Sequence, residues 1–303
     1  MMSQTYGNLE IIVVNDCSTD ESPEVLKKLA AEDSRVKVLN NETNLKIVAS
    51  LNKAIAIASG KYIARMDADD VSMPDRIAKQ IAFLEANENI AACGCNYIII
   101  DEHGNKTGKV LFESKPALLK AELLFFSTFA HPAVTIRTDA AKSAGLYKAG
   151  MVPAEDYEFW LSLAEKFEMA NLPEYLLLYR WHGTNVSVVQ KSNLTEAMTK
   201  ACRMHLDSYG FADDFLHYHI KFLNGTWYMP ANAAEINGFV KWKEALLKKN
   251  ERLKLYDAVA LKKTFDKYYS LALLSILKSR QNNFSIKCLA FSKLAVINPL
   301  ITV

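Results

Sequence analysis

No apolar run in this 303-residue sequence approaches the roughly 20 residues that a membrane-crossing helix needs. The strongest, such as residues 271–277, stop far short. A basic start followed by an apolar stretch is also missing, because Met1-Met2-Ser3-Gln4-Thr5-Tyr6 has neither, so no secretion signal is expected. The chain lacks an excess of either charge, with 36 Lys and Arg against 34 Asp and Glu for a net +2. That excludes a dedicated nucleic-acid binder, which carries a concentrated basic excess. Cysteines are few and unpaired in pattern: Cys17, Cys93, Cys95, Cys202 and Cys288 form an odd, scattered set, not a disulfide framework, and a reducing compartment is expected. Cys93 and Cys95 stand two apart in an apolar run with no second pair downstream, which favours core packing over a zinc site. Internal repeats and low-complexity segments are absent as well. These absences together imply a cytoplasmic protein that touches a membrane at its periphery if at all.

Two signals are present in their place. The first half alternates strand and helix patterns. Residues 9–14 are a continuous apolar run, as in a parallel strand buried on both faces, and end in the polar turn Asn15-Asp16-Cys17-Ser18-Thr19-Asp20. A helix is predicted from Ser22-Pro23, a short strand around Val36, Val38 and Leu39, and a helix through Ile47, Val48, Leu51, Ile55 and Ala58. Gly60 is placed to close that helix in the left-handed conformation. A third strand is expected over residues 62–66, directly before Asp67-Ala68-Asp69-Asp70. Ser72 with Asp75 resembles a capping box before a helix through Ile77, Ile81 and Leu84. Such alternation implies an α/β fold, a mixed and mostly parallel Rossmann-like sheet between helices. Strands follow at residues 91–100, 133–137 and 176–181, with helices at 117–126 and 155–167, the last burying Phe159, Trp160, Leu163 and Ala164.

From about Gln190 the pattern becomes helical and lysine-rich, so residues 1–189 form the α/β domain and residues 190–303 a helical region. Trp227, Tyr228, Trp242, Lys241 and Lys243 in that region suit a membrane surface, although a core-facing stripe with a solvated basic face is the ordinary explanation. His205, His217 and His219 read as surface residues without a role.

The chemistry falls beyond strand ends, where ligands bind in doubly wound sheets. Asp67, Asp69 and Asp70 crowd three carboxylates into four residues, a costly arrangement unless a cation or donors compensate. A hard divalent cation completed by substrate phosphates is one occupant; an exposed acidic loop is the alternative. Glu155-Asp156 opens a helix, where negative side chains serve as a cap or supply a general base for an acceptor hydroxyl. Arg180 offers a phosphate partner, and His182 a metal ligand or a structural imidazole.

The order Leu9-Glu10-Ile11-Ile12-Val13-Val14-Asn15-Asp16-Cys17-Ser18-Thr19-Asp20, Asn44, Asn52, Ala64-Arg65-Met66-Asp67-Ala68-Asp69-Asp70, Pro74, Arg76, Gln80, His131-Pro132, Ala154-Glu155-Asp156-Tyr157 and Arg180-Trp181-His182-Gly183 resembles bacterial family 2 glycosyltransferases over about the first 190 residues. The resemblance implies a GT-A fold and a nucleotide-diphosphate sugar donor, commonly a uridine one. By it, Asp16 meets the uracil edge, with Asn52, Asp67 and Arg180 around the nucleotide sugar. Asp69 is the principal ligand of a divalent metal (Mn2+ or Mg2+), with Asp70 and His182 beside it. Asp156 is the base, with Glu155 its neighbour, and transfer to a saccharide or lipid-linked acceptor inverts the anomeric centre.

The sequence departs from the family pattern in two places. It starts after the strand with which family members usually begin, so an unpaired interior sheet edge and weaker nucleotide binding are expected. Lys46 also replaces a usual glycine. A nucleotide-sugar binder without transfer activity is therefore the alternative reading. A haloacid-dehalogenase-like phosphatase with Asp67 as nucleophile is a weaker one, since no convincing downstream lysine and acidic pair exists.

Overall fold

In the computed structural model, residues 1–185, 189–211, 216–223, 230, 232–279 and 284–297 are described. The elements run β1 (Ile11–Asn15), α1 (Ser22–Glu32), β2 (Val36–Asn40), α2 (Lys46–Ile57), β3 (Tyr62–Ala64) and β4 (Val71–Ser72). There follow α3 (Arg76–Ala86), β5 (Ile90–Ile100), β6 (Lys106–Val110), α4 (Pro116–Glu122), β7 (Thr135–Arg137) and α5 (Thr138–Ala144). Then come α6 (Glu155–Ala164), β8 (Glu168–Arg180), α7 (Lys191–Ser208), α8 (Leu216–Ile220), α9 (Ala233–Leu253), α10 (Ala258–Lys278) and α11 (Phe284–Ile297).

One compact unit comprises Met1–Pro116 and Thr128–Ala197, the other Ala117–Ser127 and Met198–Val303. In the first, β1 and β2 form a parallel pair, Ile11 opposite Val36 through Asn15 opposite Asn40. A second sheet runs β3-β7-β5-β8-β4, with β6 on β5. Among the described residues no ladder joins β1 to β3, so the two sheets are separate. The long strands β5 and β8 are parallel. Because β7, from late in the chain, inserts between β3 and β5, neighbours there are antiparallel. Such an insertion is invisible to local alternation.

The core of this unit gathers Leu84, Ile90, Cys93, Cys95, Ala133, Leu172 and Leu177. Cys93 and Cys95 are fully buried thiols whose ionisation burial disfavours, consistent with core packing. Phe159, Trp160, Leu163 and Ala164 are buried as their spacing on α6 required. Two motif residues stitch the sheet to α3. Gln80 donates to the carbonyls of Cys93 and Ala133 and accepts from Thr135 Oγ1. The buried guanidinium of Arg76 donates to the carbonyls of Arg65 and Pro132.

Several local expectations are corrected. Gly60 is not left-handed, because α2 ends at Ala58 with extended backbone. The Ser72–Asp75 box does not form: Asp75 caps α3 without a side-chain bond, and Ser72 Oγ instead accepts from the buried Gln4. Strand β8 begins at Glu168, well before residue 176, and β6 and α5 were not anticipated.

In the second unit, α9 and α10 start at true side-chain caps, with Asn232 accepting from Glu235 N and Asp257 from Ala260 N. Phe125, Phe239 and Phe265 pack edge to face or tilted at its centre, their centroids 5.1 and 5.7 Å apart. Two of the three histidines expected at the surface are buried here. His219 Nε2 lies 2.6 Å from Leu124 O and His205 Nε2 2.9 Å from the Tyr256 hydroxyl, because both residues fall on the inward faces of their helices, α8 and α7. Trp242 is likewise a core residue. Trp227 and Tyr228 lie outside the described residues. No helix of the described residues is long and apolar enough to cross a membrane.

Candidate active site

At the tip of β1, Asp16 faces inward on its own loop. Its Oδ1 accepts from Asn41 Nδ2 (2.8 Å) and Leu45 N (2.7 Å), and Oδ2 from Lys46 N (2.9 Å). Partial desolvation opposes ionisation, but these donors outweigh it and hold the carboxyl below its ordinary range. Lys46 sits at φ 67°, the left-handed region that a glycine enters freely. This is the physical reason for the glycine usual at that position, and Asp16 fixes the strained residue by its amide.

Asn52 is also committed to the protein. It donates from Nδ2 to Tyr147 O (2.9 Å) and accepts from Tyr147 N (3.2 Å), a two-point clasp on a loop 95 residues away. The structure therefore places Asn52 as a brace for Tyr147.

The acidic loop sorts its three carboxylates. Asp67 pairs with the buried guanidinium of Arg65. Asp69 turns outward, its Oδ2 3.2 Å from His182 Nε2. His182 is oriented from behind by Thr184 Oγ1, 2.8 Å from Nδ1, and by its backbone N–H to Asn185 Oδ1 at 2.6 Å. Asp70 is buried and accepts Arg180 N at 2.8 Å, while its Oδ2 has no partner. Burial, then the charges of Asp67 and Asp69, push this carboxyl up to about 7 despite the Arg180 amide. Arg180 does not present a free fork: Nε donates to Asp69 O and Nη1 to the carbonyls of Asp101 and Glu102. It ties the loop to the end of β8. Among the described residues no three of the potential ligands converge on one point; the pair that does meet is Asp69 with His182.

Glu155 and Asp156 open α6. Burial, then the Asp156 charge, pushes the Glu155 carboxyl up to about 7, and its Oε2 is buried without a partner. Burial raises Asp156 as well, against the Tyr157 amide and the Arg65 charge. Both carboxyls are thus held above their ordinary range, Glu155 at about 7, where a proton acceptor near neutral pH belongs.

Sequence reasoning missed the residues that join these two ends. Arg65 faces Asp67, and its charge is felt by Glu155, Asp156 and Asp70. Tyr147 bonds through its hydroxyl to His131 Nε2 at 2.9 Å and packs on Phe159, one turn past Asp156. Burial, and then Arg65, keep His131 neutral. The available signal was position: Arg65 precedes the acidic loop by two residues, and His131 lies in a quoted motif.

Comparisons with known proteins identify the family. A model of glycosyl transferase family 2 matches residues 1–142. An uncharacterized glycosyltransferase of Haemophilus influenzae is 36% identical over 221 residues, covering 69% of this chain and 68% of its own. The Escherichia coli enzyme WfaP, a UDP-Glc:alpha-D-GlcNAc-diphosphoundecaprenol beta-1,3-glucosyltransferase, is 29% identical over 204 residues, 65% of this chain and 78% of its own. In fold, residues 1–349 of S. aureus TarS in complex with UDP-GlcNAc superpose with a TM-score of 0.59 at 17% identity, covering 92% of this chain and 86% of that one. The GT-A sheet accords with these likenesses: the chain is a glycosyltransferase and belongs to glycosyl transferase family 2.

Proposed function

We propose that the chain transfers a sugar from a uridine-diphosphate donor to a hydroxyl of a saccharide or lipid-linked acceptor, with inversion at the anomeric carbon. The observation that carries this reading is the approach of Asp69 Oδ2 and His182 Nε2 to 3.2 Å across 113 residues of sequence, beside a carboxyl pair, Glu155 and Asp156, that burial raises above the ordinary range. The UDP-sugar in the TarS complex and the lipid-linked acceptor in the WfaP name support the substrate classes.

The donor set at the first point fits a hard divalent cation, which takes one or two protein ligands and fills its shell with substrate phosphates. Asp69 and His182 would hold it, Thr184 fixing the imidazole so that Nε2 faces the ion. A cation held there by Asp69 and His182 would supply neutralisation of the charge gathering on the leaving diphosphate. Asp70, gripped by Arg180, shapes the loop and keeps one buried oxygen free. Asp156 takes the proton of the attacking hydroxyl, and Glu155 holds a second raised carboxyl beside it. Arg65 and Asp67 set the charge between the two ends.

Release of UDP from UDP-sugars, measured with manganese and after chelation, tests the reading. Asp69→Asn is expected to abolish metal-dependent UDP binding. Asp156→Asn is expected to bind UDP normally and lose turnover, and a fully active Asp156→Asn protein would refute the assignment. A chain that binds UDP and releases none from any donor would be a binder without transfer.

A further inference from the structure

On the sheet face beside Asp70 lies a row of four rings that the site above does not use. Tyr97 of β5 stands opposite Leu177, and Tyr179 of β8 opposite Ile99, so the two tyrosines are diagonal neighbours on one face. Their centroids are 5.1 Å apart. Phe112, two residues past Val110, the partner of Tyr97, extends the row at 5.9 Å. Trp181, two past Tyr179, extends it the other way at 6.5 Å and is 47% exposed.

The row reaches the acidic loop through one residue. Arg180, between Tyr179 and Trp181, donates its amide to Asp70 Oδ1 and its Nε to Asp69 O, each at 2.8 Å. Burial and then the Asp70 charge keep both phenols protonated, Tyr179 being pushed up to about 12. Three of the rings pack one side on the core, which accounts for their half-burial. It does not account for their hydroxyls. Among the other phenols of this unit, Tyr62 is bonded to Glu85 at 2.8 Å and Tyr147 to His131 at 2.9 Å. The hydroxyls of Tyr97 and Tyr179 have no hydrogen-bond partner among the described residues.

We propose that Phe112, Tyr97, Tyr179 and Trp181 form the acceptor subsite, a platform for a pyranose ring of the acceptor saccharide. A pyranose presents an apolar C–H face flanked by hydroxyls, and tyrosine and tryptophan present an apolar face with a polar edge. The two unpartnered phenols donate to or accept from the sugar hydroxyls while the C–H face lies on the rings. The occupant is the acceptor, not the donor's base, because the residue assigned to that base, Asp16, stands on the other sheet. The proposal rests on the transfer reading for its orientation, but its test does not.

Saturation-transfer NMR on the full chain in EDTA, without any nucleotide, is run with cellotriose, maltotriose and chitotriose as probes. At least one trisaccharide is expected to bind saturably, with its ring C–H protons receiving most of the transfer. Trp181→Ala, a change at an exposed ring, and Tyr179→Leu, which keeps apolar bulk, are each expected to weaken binding about fivefold or more while melting like the parent. Saturable binding of none of the three sugars overturns the proposal, and so does unchanged binding in both variants. A selective loss of UDP affinity in these variants would assign the row to the nucleotide instead. Failure of the Asp69 and Asp156 variants to behave as stated above would leave this sugar-binding result standing.

Discussion

Glu155→Gln should make the protein more stable at neutral and alkaline pH, and progressively less so as the pH falls towards 4.5. The carboxyl is buried, with one oxygen lacking any partner, and burial followed by the Asp156 charge moves it from 4.5 to about 7. A group whose folded pKa is raised binds its proton more tightly in the folded state than in the unfolded one. Stability therefore falls as pH rises through the interval from 4.5 to about 7, and the whole penalty stands above it. At about 1.4 kcal/mol per pH unit the displacement is worth about 3 kcal/mol. Coupling to Asp156, whose own pKa is raised, shares that cost between the two groups, so about 1–3 kcal/mol is expected for the single change. Urea unfolding of parent and variant at pH 5 and pH 8 measures it. The gain should be present at pH 8 and should shrink towards zero at pH 5, where the parent carboxyl is protonated. An equal effect at both values would show that the buried charge is not what the substitution removes, and the argument from burial would fail.

Lys46→Gly is expected to stabilise the chain by about 0.5–1 kcal/mol, since left-handed backbone costs a side-chain-bearing residue roughly 1–2 kcal/mol and glycine's freedom in the unfolded chain returns part of it. A higher urea midpoint with unchanged slope would confirm it. Asn52→Leu should cost about 2–3 kcal/mol, because the buried Tyr147 loses partners for both its N–H and its carbonyl; a melting temperature like the parent's would contradict the clasp. Thr184→Val is expected to weaken manganese-dependent UDP binding about 10–100-fold while leaving the fold intact, as loss of an outer-shell orienting bond does. Titration calorimetry with UDP at several manganese concentrations reads it, and an unchanged metal requirement would remove His182 from the metal site.

Legibility of this chain followed the range of the forces involved. Strand β1 and helices α1, α2 and α3 were readable because a continuous apolar run and a 3.6-residue period are local patterns. The boundaries of β8 were not, since residues 168–175 are paired by the distant β5 and carry little alternation of their own. The place of β7 between β3 and β5 depends on a strand that arrives some 70 residues after β3 in the chain, and no local pattern announces it. Gly60 and the Ser72–Asp75 pair had the right composition for caps, but neighbours outbid it: Ser72 is held by Gln4, from the other end of the first hundred residues. The unit division shows the same limit, since residues 117–127 lie far from the helical region in sequence yet cluster with it.

Site residues divide along a related line. Motif matching brought forward Asp16, Asn52, Asp67, Arg180, Asp69, Asp70, His182, Glu155 and Asp156, with Asp69 as principal metal ligand and Asp156 as base. Geometry separates them by what remains unpartnered. Asp16, Asn52 and Arg180 direct their polar atoms at loop backbone, and Asp67 at Arg65. A substitution there first disturbs the positions of other residues, so lost activity in such variants would not by itself establish ligand contact. Asp69 with His182, the free oxygen of Asp70 and the raised pair Glu155–Asp156 retain donor, acceptor or proton capacity that the protein does not satisfy. Buried polar capacity without a partner costs about 1–3 kcal/mol per group. Asp70 and Glu155 each carry one such oxygen, at the strand ends and at the start of α6, and substrate is the partner that the proposed reaction would supply to them, while the half-buried phenols of Tyr97 and Tyr179 stay open to a sugar hydroxyl across the sheet.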